Sequence, residues 1–156
     1  MTLEGYSRDR LGGASGPPAD DPAGGGYIPP GLSTAVTEGI RVIVRSEFRP
    51  ERSEAGRFLF TYTVRVTNEG GSPAQLLTRH WVIVDASGDR HDVVGDGVVG
   101  KQPLLEPGES FEYTSFCVLH TPHGSMHGTY GMRRQDGTAF KARIAPFPLV
   151  VPGNLN

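Results

Sequence analysis

The chain has 156 residues, which is the usual size of one domain and leaves no room for two substantial hydrophobic cores. Its single cysteine, Cys117, excludes an internal disulfide, and no secretory-type leader stands at the N-terminus, so a cytoplasmic location is expected. No apolar run approaches the roughly 20 residues that a membrane-spanning helix needs, and a membrane protein is therefore not expected.

The net charge of −2 is carried by the first 32 residues, which contain two arginines and four acidic residues. Residues 33–156 contain thirteen Lys or Arg and thirteen Asp or Glu. Binding to a phosphate backbone normally requires a basic excess, which this part of the chain lacks. Nucleic acid is therefore not a predicted partner.

The N-terminal segment has the composition of a tail. Residues 1–32 include eight glycines and five prolines and almost no apolar side chains that a core could bury. Such a segment cannot offset the entropy lost on ordering. We therefore predict a disordered Gly/Pro-rich tail over residues 1–33, a folded domain over 34–149 and a C-terminal extension over 150–156.

The folded domain shows a hydrophobic period of two, which is typical of half-buried strands. The pattern is clearest between Phe58 and Thr67, where apolar and polar residues alternate, and it recurs at 40–44, 77–84, 111–119, 126–132 and 140–144. Turn signals rich in glycine, proline and aspartate separate these segments, at 69–71, 87–89, 106–108, 122–124 and 136–137. The chain is therefore predicted to consist of strands joined by tight turns.

Asp136-Gly137 is the most specific of these turn signals, because a two-residue mirror-image turn requires positive φ at both central positions. It predicts a hairpin between the strands through Tyr130 and Phe140. About seven strands with no helical segment predict an all-β fold. The expected architecture is an antiparallel two-sheet sandwich, immunoglobulin- or fibronectin type III-like, with a closed barrel as the alternative. The predicted core residues are Phe60, Tyr62, Trp81, Phe111, Tyr113, Tyr130 and Ile144.

Three runs carry a resemblance to a known family: Arg79-His80-Trp81, Gly95 to Pro103, and Leu105 to Ser115. In these runs, and through Cys117 to Met132, the chain resembles the bacterial ApaG family over about residues 34–149. The resemblance implies a fibronectin type III-like sandwich without an established enzymatic activity.

What the resemblance implies about function is indirect. Bacterial members of the family are linked to cobalt resistance and magnesium efflux, and related eukaryotic domains suggest protein recognition. The function expected from the resemblance is thus a non-enzymatic module for protein–protein interaction, linked to divalent cation homeostasis. The alternative is a protein that binds a small anion or a metal and is associated with dinucleotide polyphosphate metabolism.

The run from Gly95 to Gly100 has the letters of a dinucleotide-binding fingerprint, which acts by opening a helix toward a pyrophosphate. Pro103 and Pro107 interrupt the segment that would have to form this helix, so no nucleotide cofactor is predicted. A loop whose backbone amides form an anion-binding nest for phosphate or pyrophosphate is still possible on this pattern. The candidate anion-binding residues are Gly95, Gly97, Gly100, Lys101 and Arg79.

Other chemically active residues do not form a predicted site. His120, His123 and His127 have a spacing that suits a metal on a helix, but they flank a predicted turn, so no metal site is expected. Cys117 has the strand position of a core residue. His80 has no nucleophile that the pattern places beside it, and neither catalytic residues nor an enzymatic activity are predicted.

Strand alternation predicts an apolar outer surface. Val82 and Val84 on one strand, and Phe116 and Val118 on another, point away from the predicted core. If these strands are neighbours, the four side chains form one patch, which monomers rarely leave bare. The sequence therefore predicts an interface with a protein partner or a second copy, and coverage by the chain's own loops is the alternative.

Overall fold

A computed structural model of the protein describes residues 2–8, as backbone, and residues 31–153. Apart from a short 3₁₀ turn, Pro50–Arg52, the regular structure of these residues is entirely β, as predicted. Within them no helix has the length or hydropathy to cross a membrane. These two ranges contain the strands β1 Thr2–Arg8, β2 Leu32–Thr37, β3 Ile40–Phe48, β4 Phe58–Asn68, β5 Ala74–Asp85, β6 Arg90–Asp96, β7 Leu104–Leu105, β8 Ser110–Leu119, β9 His123–Arg134 and β10 Ala139–Val150.

The strands form two antiparallel sheets that pack face to face, which confirms the predicted sandwich. The first sheet has the order β1-β8-β4-β3-β2. The second sheet has the order β10-β9-β5-β6, and β7 pairs with the start of β5. Strand β10 also meets β2 and β3 across one side of the sandwich, where the Arg143 amide donates to Thr37 Oγ1 at 3.0 Å and Ser46 Oγ donates to the Pro148 carbonyl at 2.8 Å.

The core lies between the sheets and is centred on Trp81, which is fully buried. The Trp81 ring meets Tyr62, Tyr130 and Phe147 in edge-on contacts, with ring centroids 5.2, 6.2 and 5.9 Å away. Such contacts add to the free energy gained by burying the rings. All seven predicted core residues are at most 1% exposed, which confirms the assignment of the inward faces.

The turns differ from the prediction in their type. The hairpin between β9 and β10 is present, but its loop has three residues: the Gly137 amide donates to the Arg134 carbonyl, the Arg134 amide donates to the Thr138 carbonyl, and only Gly137 has positive φ. This is a type I turn followed by a glycine bulge rather than a two-residue mirror-image turn.

The mirror-image turn occurs instead at Val99-Gly100, where φ is +45° and +76° and Val98 and Lys101 exchange both backbone hydrogen bonds. Positive φ is uncommon for a β-branched residue such as valine. Val99 is partly buried against the core, so packing of its side chain compensates for part of this backbone strain.

The domain limits also differ slightly from the prediction. Strand β2 begins at Leu32 and β10 ends at Val150, so the sandwich extends one or two residues beyond the predicted range at each end. Residues 2–8, which composition assigns to a disordered tail, form β1 and pair with β8. Met1 and residues 9–30 of the predicted tail, and residues 154–156 of the predicted C-terminal extension, lie outside the described residues.

Candidate functional site

The glycine loop brings the predicted anion-binding residues together but uses them inside the fold. The Arg79 guanidinium donates from Nη1 to the carbonyls of Asp96 and Gly97, both at 2.9 Å. A side chain at Gly95 would collide with this guanidinium, because a Cβ there would lie 2.9 Å from Arg79 Cζ. The lack of a side chain at Gly95 therefore makes room for Arg79, and this packing explains the glycine without a ligand.

The amides of the same loop are also engaged. Gly97 N donates to the Leu77 carbonyl at 2.7 Å, and Val98 and Lys101 donate to each other's carbonyls at 2.8 and 2.9 Å. An anion nest needs backbone N–H groups that point outward together. Three of the amides that the sequence assigns to a nest are instead used by the fold, so the structure does not favour the predicted phosphate site at Gly95, Gly97, Gly100, Lys101 and Arg79.

The predicted apolar interface is wrong as a single patch. Val82 and Val84 lie on β5 in the second sheet, whereas Phe116 and Val118 lie on β8 in the first sheet. The two pairs point outward from opposite faces of the sandwich. The alternation was read correctly, but β5 has β9, β6 and β7 as neighbours, and β8 has β4 and β1.

One residue of each pair, Val82 on β5 and Phe116 on β8, is covered at least partly by other parts of the chain. Val82 is only 5% exposed. The guanidinium of Arg52, the last residue of the 3₁₀ turn, lies 5.6 Å from the centre of the Phe116 ring. Val82 and Phe116 therefore fit the alternative in which the chain covers its own outer surface, while Val84 and Val118 are partly exposed.

His120, His127 and Cys117 lie in three different parts of the fold. His120 lies beside the Gly56 carbonyl, with Nδ1 at 3.2 Å, while His127 lies in mid-strand opposite Val82. Cys117 is fully buried in the core, and this burial raises the pKa of its thiol to about 11. A thiol held protonated and away from solvent packs as a small apolar group.

A charged network on β5 and β6 was missed at the sequence level. His80 Nε2 lies 2.8 Å from Asp92 Oδ2, and Arg90 donates to both carboxylate oxygens of Asp92 at 2.7 and 3.0 Å. Hydrogen bonds from Arg90, and then from His80, hold the pKa of the Asp92 carboxyl well below its usual range. The residues share the outer face because β5 and β6 pair Val82 with Asp92 and Val84 with Arg90.

A depression of about 300 Å³ lies further along the same outer face, across β5, β9 and β10. The register places Gly131 between Thr78 and Lys141, and Ala139 opposite Arg133. Two outward positions therefore carry little or no side chain. A Cβ at Gly131 would collide with the Thr78 hydroxyl, so a larger residue would fit there only if the Thr78 side chain moved. The depression is lined by Leu77, Thr78, Gly131, Met132, Arg133, Ala139, Phe140 and Lys141.

Sequence reasoning did not find this depression. It depends on which strands pair and in what register, and on a bulge in β5 between Leu76 and Thr78 that places Leu77 at its edge. The only signal in the sequence was the small residues at Gly131 and Ala139, within segments where larger side chains alternate. We call this surface, with the exposed ends of β9 and β10 around it, the β9–β10 face.

Comparison with known proteins agrees with the fold. Residues 49–134 match the ApaG domain family, DUF525. A protein named ApaG from Anaeromyxobacter dehalogenans is 76% identical over 125 residues, which are 80% of this chain and all of that protein. ApaG from Methylobacillus flagellatus is 50% identical over 113 residues, or 71% of this chain and 89% of that protein.

A solved crystal structure of a Bordetella pertussis protein described as ApaA has 47% sequence identity and a TM-score of 0.72, and the match covers 73% of this chain and 94% of that one. A second X-ray structure, of a structural genomics target, has 44% identity and the same TM-score, and it covers 78% and 94%. The family match covers more than half of the chain, and the relatives are matched over most of their length. The chain therefore belongs to the ApaG family.

Proposed function

We propose that this protein is a non-enzymatic binding module that recognises a protein partner through the β9–β10 face. The observation that carries the proposal is the depression of about 300 Å³ on the outside of the second sheet. Protein interfaces place one or a few anchoring side chains in pockets of the partner, and these anchors supply most of the binding free energy. A hollow of this size is at the lower limit for a small-molecule site but accommodates a single large side chain.

The lining of the depression supports recognition rather than catalysis. Its polar side chains are one hydroxyl, on Thr78, and two cations, on Arg133 and Lys141. Acid–base chemistry near neutral pH is usually carried by histidine or a carboxylate. An apolar floor with a few orienting polar groups at its rim is the usual arrangement in a recognition surface.

The proposal also includes the setting of this interaction. The protein acts in the cytoplasm, and through its partner it contributes to the cobalt and magnesium homeostasis to which the family resemblance points. A second copy of the chain is the alternative partner, and the experiment below distinguishes it from a different protein by mass.

The proposal is tested by site-specific photo-crosslinking in cells. A benzophenone amino acid replaces Ala139, which is exposed beside the depression, and as a control it replaces Ala55, which is exposed in the loop before β4. We expect a discrete protein adduct from position 139 and none from position 55. A product of twice the 16.7 kDa chain mass would identify a homodimer. Equal labelling from both positions, or none from position 139, would show that the proposal is wrong.

A further inference from the structure

Three exposed cations lie in and beside the depression: Arg133 on β9, and Lys141 and Arg143 on β10. Cross-strand pairing of Arg133 with Ala139, of Gly131 with Lys141 and of Thr129 with Arg143 places all three on the outward face. None of the three forms an ion pair with a described residue.

The absence of ion pairs with described residues distinguishes these three cations from several arginines elsewhere in the described chain. Elsewhere in the described chain Arg41 pairs with Glu69, Arg49 with Glu47 and Arg90 with Asp92. Residues 33–156 carry equal numbers of positive and negative side chains, and three of the positive ones are grouped around the depression. Asp96 on β6, next to Thr78, is an exposed carboxylate on the same outward row, and it forms no ion pair with these cations. An uncompensated group of like charges raises the local potential and attracts ligands of opposite charge.

The spacing of the cations matches that of an extended chain. Lys141 and Arg143 are two residues apart on one strand, which separates them by about 6.6–6.8 Å. Arg133 and Lys141 are diagonal cross-strand neighbours, about 7–8 Å apart. Alternate side chains of an extended peptide point to the same side at the same interval. Two carboxylates in such a peptide would therefore meet Lys141 and Arg143 when an apolar side chain sits near Ala139.

We infer that the β9–β10 face binds an acidic, extended segment of a partner protein, whose carboxylates contact Lys141 and Arg143 and whose apolar side chain fills the depression. The inference rests on the proposed function and specifies the chemistry of the partner. Arg133, across the depression, receives a further carboxylate or the peptide backbone carbonyl. The cations orient the segment, and the depression holds its anchoring apolar side chain.

A peptide fits this face better than a nucleic acid does. The cations are few, whereas binding to a phosphate backbone depends on many contacts and falls steeply with salt. The surface of the hollow is mainly apolar and includes the side chains of Leu77 and Ala139, which suits an aliphatic side chain; Met132 and Phe140 lie beneath it and pack toward the core. Single-stranded nucleic acid remains an outcome that the experiment must be able to detect.

Fluorescence anisotropy with the full chain tests the inference. The probe is the labelled peptide Glu-Ser-Glu-Ser-Leu-Ser-Glu-Ser-Glu, whose symmetric spacing suits either chain direction. One comparison peptide has Gln in place of every Glu, and a second has Ser in place of Leu. We expect the probe to bind at least about tenfold more tightly than the Gln peptide, and more weakly as salt rises, because exposed ion pairs are screened.

Two variants locate the site. Lys141→Glu/Arg143→Glu should weaken probe binding at least about tenfold. The control Arg52→Glu/Arg57→Glu makes the same change in net charge in the 3₁₀ turn and in the loop before β4, and should change binding less than about twofold at physiological salt. Ala139→Trp, which fills the depression, should remove the advantage of the Leu probe over its Ser counterpart. Thermal melts confirm that each variant is folded.

Equal losses in the two charge-reversal variants would overturn the inference, because binding would then follow net charge. Tighter binding of a labelled nine-residue oligothymidylate than of the peptide would also overturn it. If the Gln peptide binds as tightly as the probe, the acidic chemistry is wrong while a peptide-binding face remains. Failure of the proposed function itself would instead appear as the absence of a crosslink from position 139.

Discussion

The outer faces of the two sheets differ in whether their polar side chains have partners within the fold. On the first sheet, hydroxyls on neighbouring strands bond to one another: Thr63 and Thr114 lie 2.8 Å apart, and Thr67 and Ser110 lie 2.7 Å apart. These bonds satisfy groups that solvent reaches only partly. These two pairs on the outer face of the first sheet are therefore internal contacts that support the fold.

On the outer face of the second sheet, the charged side chains near β6 and those near β10 differ in whether they have partners. Toward β6, the carboxylate of Asp92 forms an ion pair with Arg90 and a hydrogen bond with His80. Toward β10, Lys141 and Arg143 have no such partner among the described residues, and the hollow lies beside them. Contacts within the fold account for the first-sheet face and for the β6 side, but not for the β10 side. If the proposed function holds, residues of the first-sheet face act on stability and those of the β9–β10 face act on binding.

The largest expected effect comes from the core that supports both faces. Trp81→Ala should lower the free energy of unfolding by about 3–5 kcal/mol, because it removes a fully buried ring that contacts three other aromatic rings. Val94→Ala is the control, since Val94 is 71% exposed on β6 and should cost less than about 0.5 kcal/mol. Chemical denaturation measures both. A loss near zero for Trp81→Ala would exclude its central packing role.

A smaller effect is expected from the hydroxyl pair on the first sheet. Thr63→Val should destabilise by about 1 kcal/mol, because it leaves the Thr114 hydroxyl without its partner. The double variant Thr63→Val/Thr114→Val should be close to wild type, giving a coupling energy of about 0.5–1.5 kcal/mol in a double-mutant cycle. If the two changes add without coupling, the hydroxyl bond does not support the fold as described.

On the β9–β10 face the expected change in stability is the smallest. Lys141→Ala and Arg143→Ala should each shift the free energy of unfolding by less than about 0.5 kcal/mol, because neither side chain has an ion-pair partner within residues 31–153 to lose. Both should nevertheless weaken binding of the Glu-containing peptide. A marked loss of stability in either variant would place these residues among the structural contacts and remove the distinction between the faces.

The charged network toward β6 is tested by pH. Because the folded-state pKa of Asp92 is depressed below its ordinary value of 3.8, its ion pairs stabilise the fold above that pH and are lost as the pH falls through the folded-state pKa. Carbon-13 NMR should show Asp92 still ionised near pH 3. Arg90→Gln should raise the Asp92 pKa more than His80→Gln does, since Arg90 makes the larger contribution. The opposite order would contradict this description of the network.

Sequence reasoning succeeded where a single strand contains the information. Alternation within one segment is enough to place Phe60 and Tyr62 inward, and a large mid-strand aromatic such as Trp81 is a natural core residue. Phe147 was missed because β10 changes register between Ile144 and Phe147, next to Pro146 and Pro148, which breaks the alternation.

It failed where the information lies between strands. Val82 and Phe116 were joined into one interface because strand order is not visible in local alternation. The hollow at Gly131 depends on its cross-strand neighbours Thr78 and Lys141, which only the register defines. Likewise, Val99 adopts positive φ because packing against the core outweighs its local preference.

The central claim is that the β9–β10 face, and not the first-sheet face, receives a partner. Nitrogen-15 NMR titration with the Glu-Ser-Glu-Ser-Leu-Ser-Glu-Ser-Glu peptide tests it most directly, since each backbone amide reports separately. We predict saturable shifts at Gly131, Ala139, Lys141 and Arg143, and none at Thr63 on the first sheet. Shifts confined to the first sheet, or to the glycine loop around Lys101, would contradict the claim.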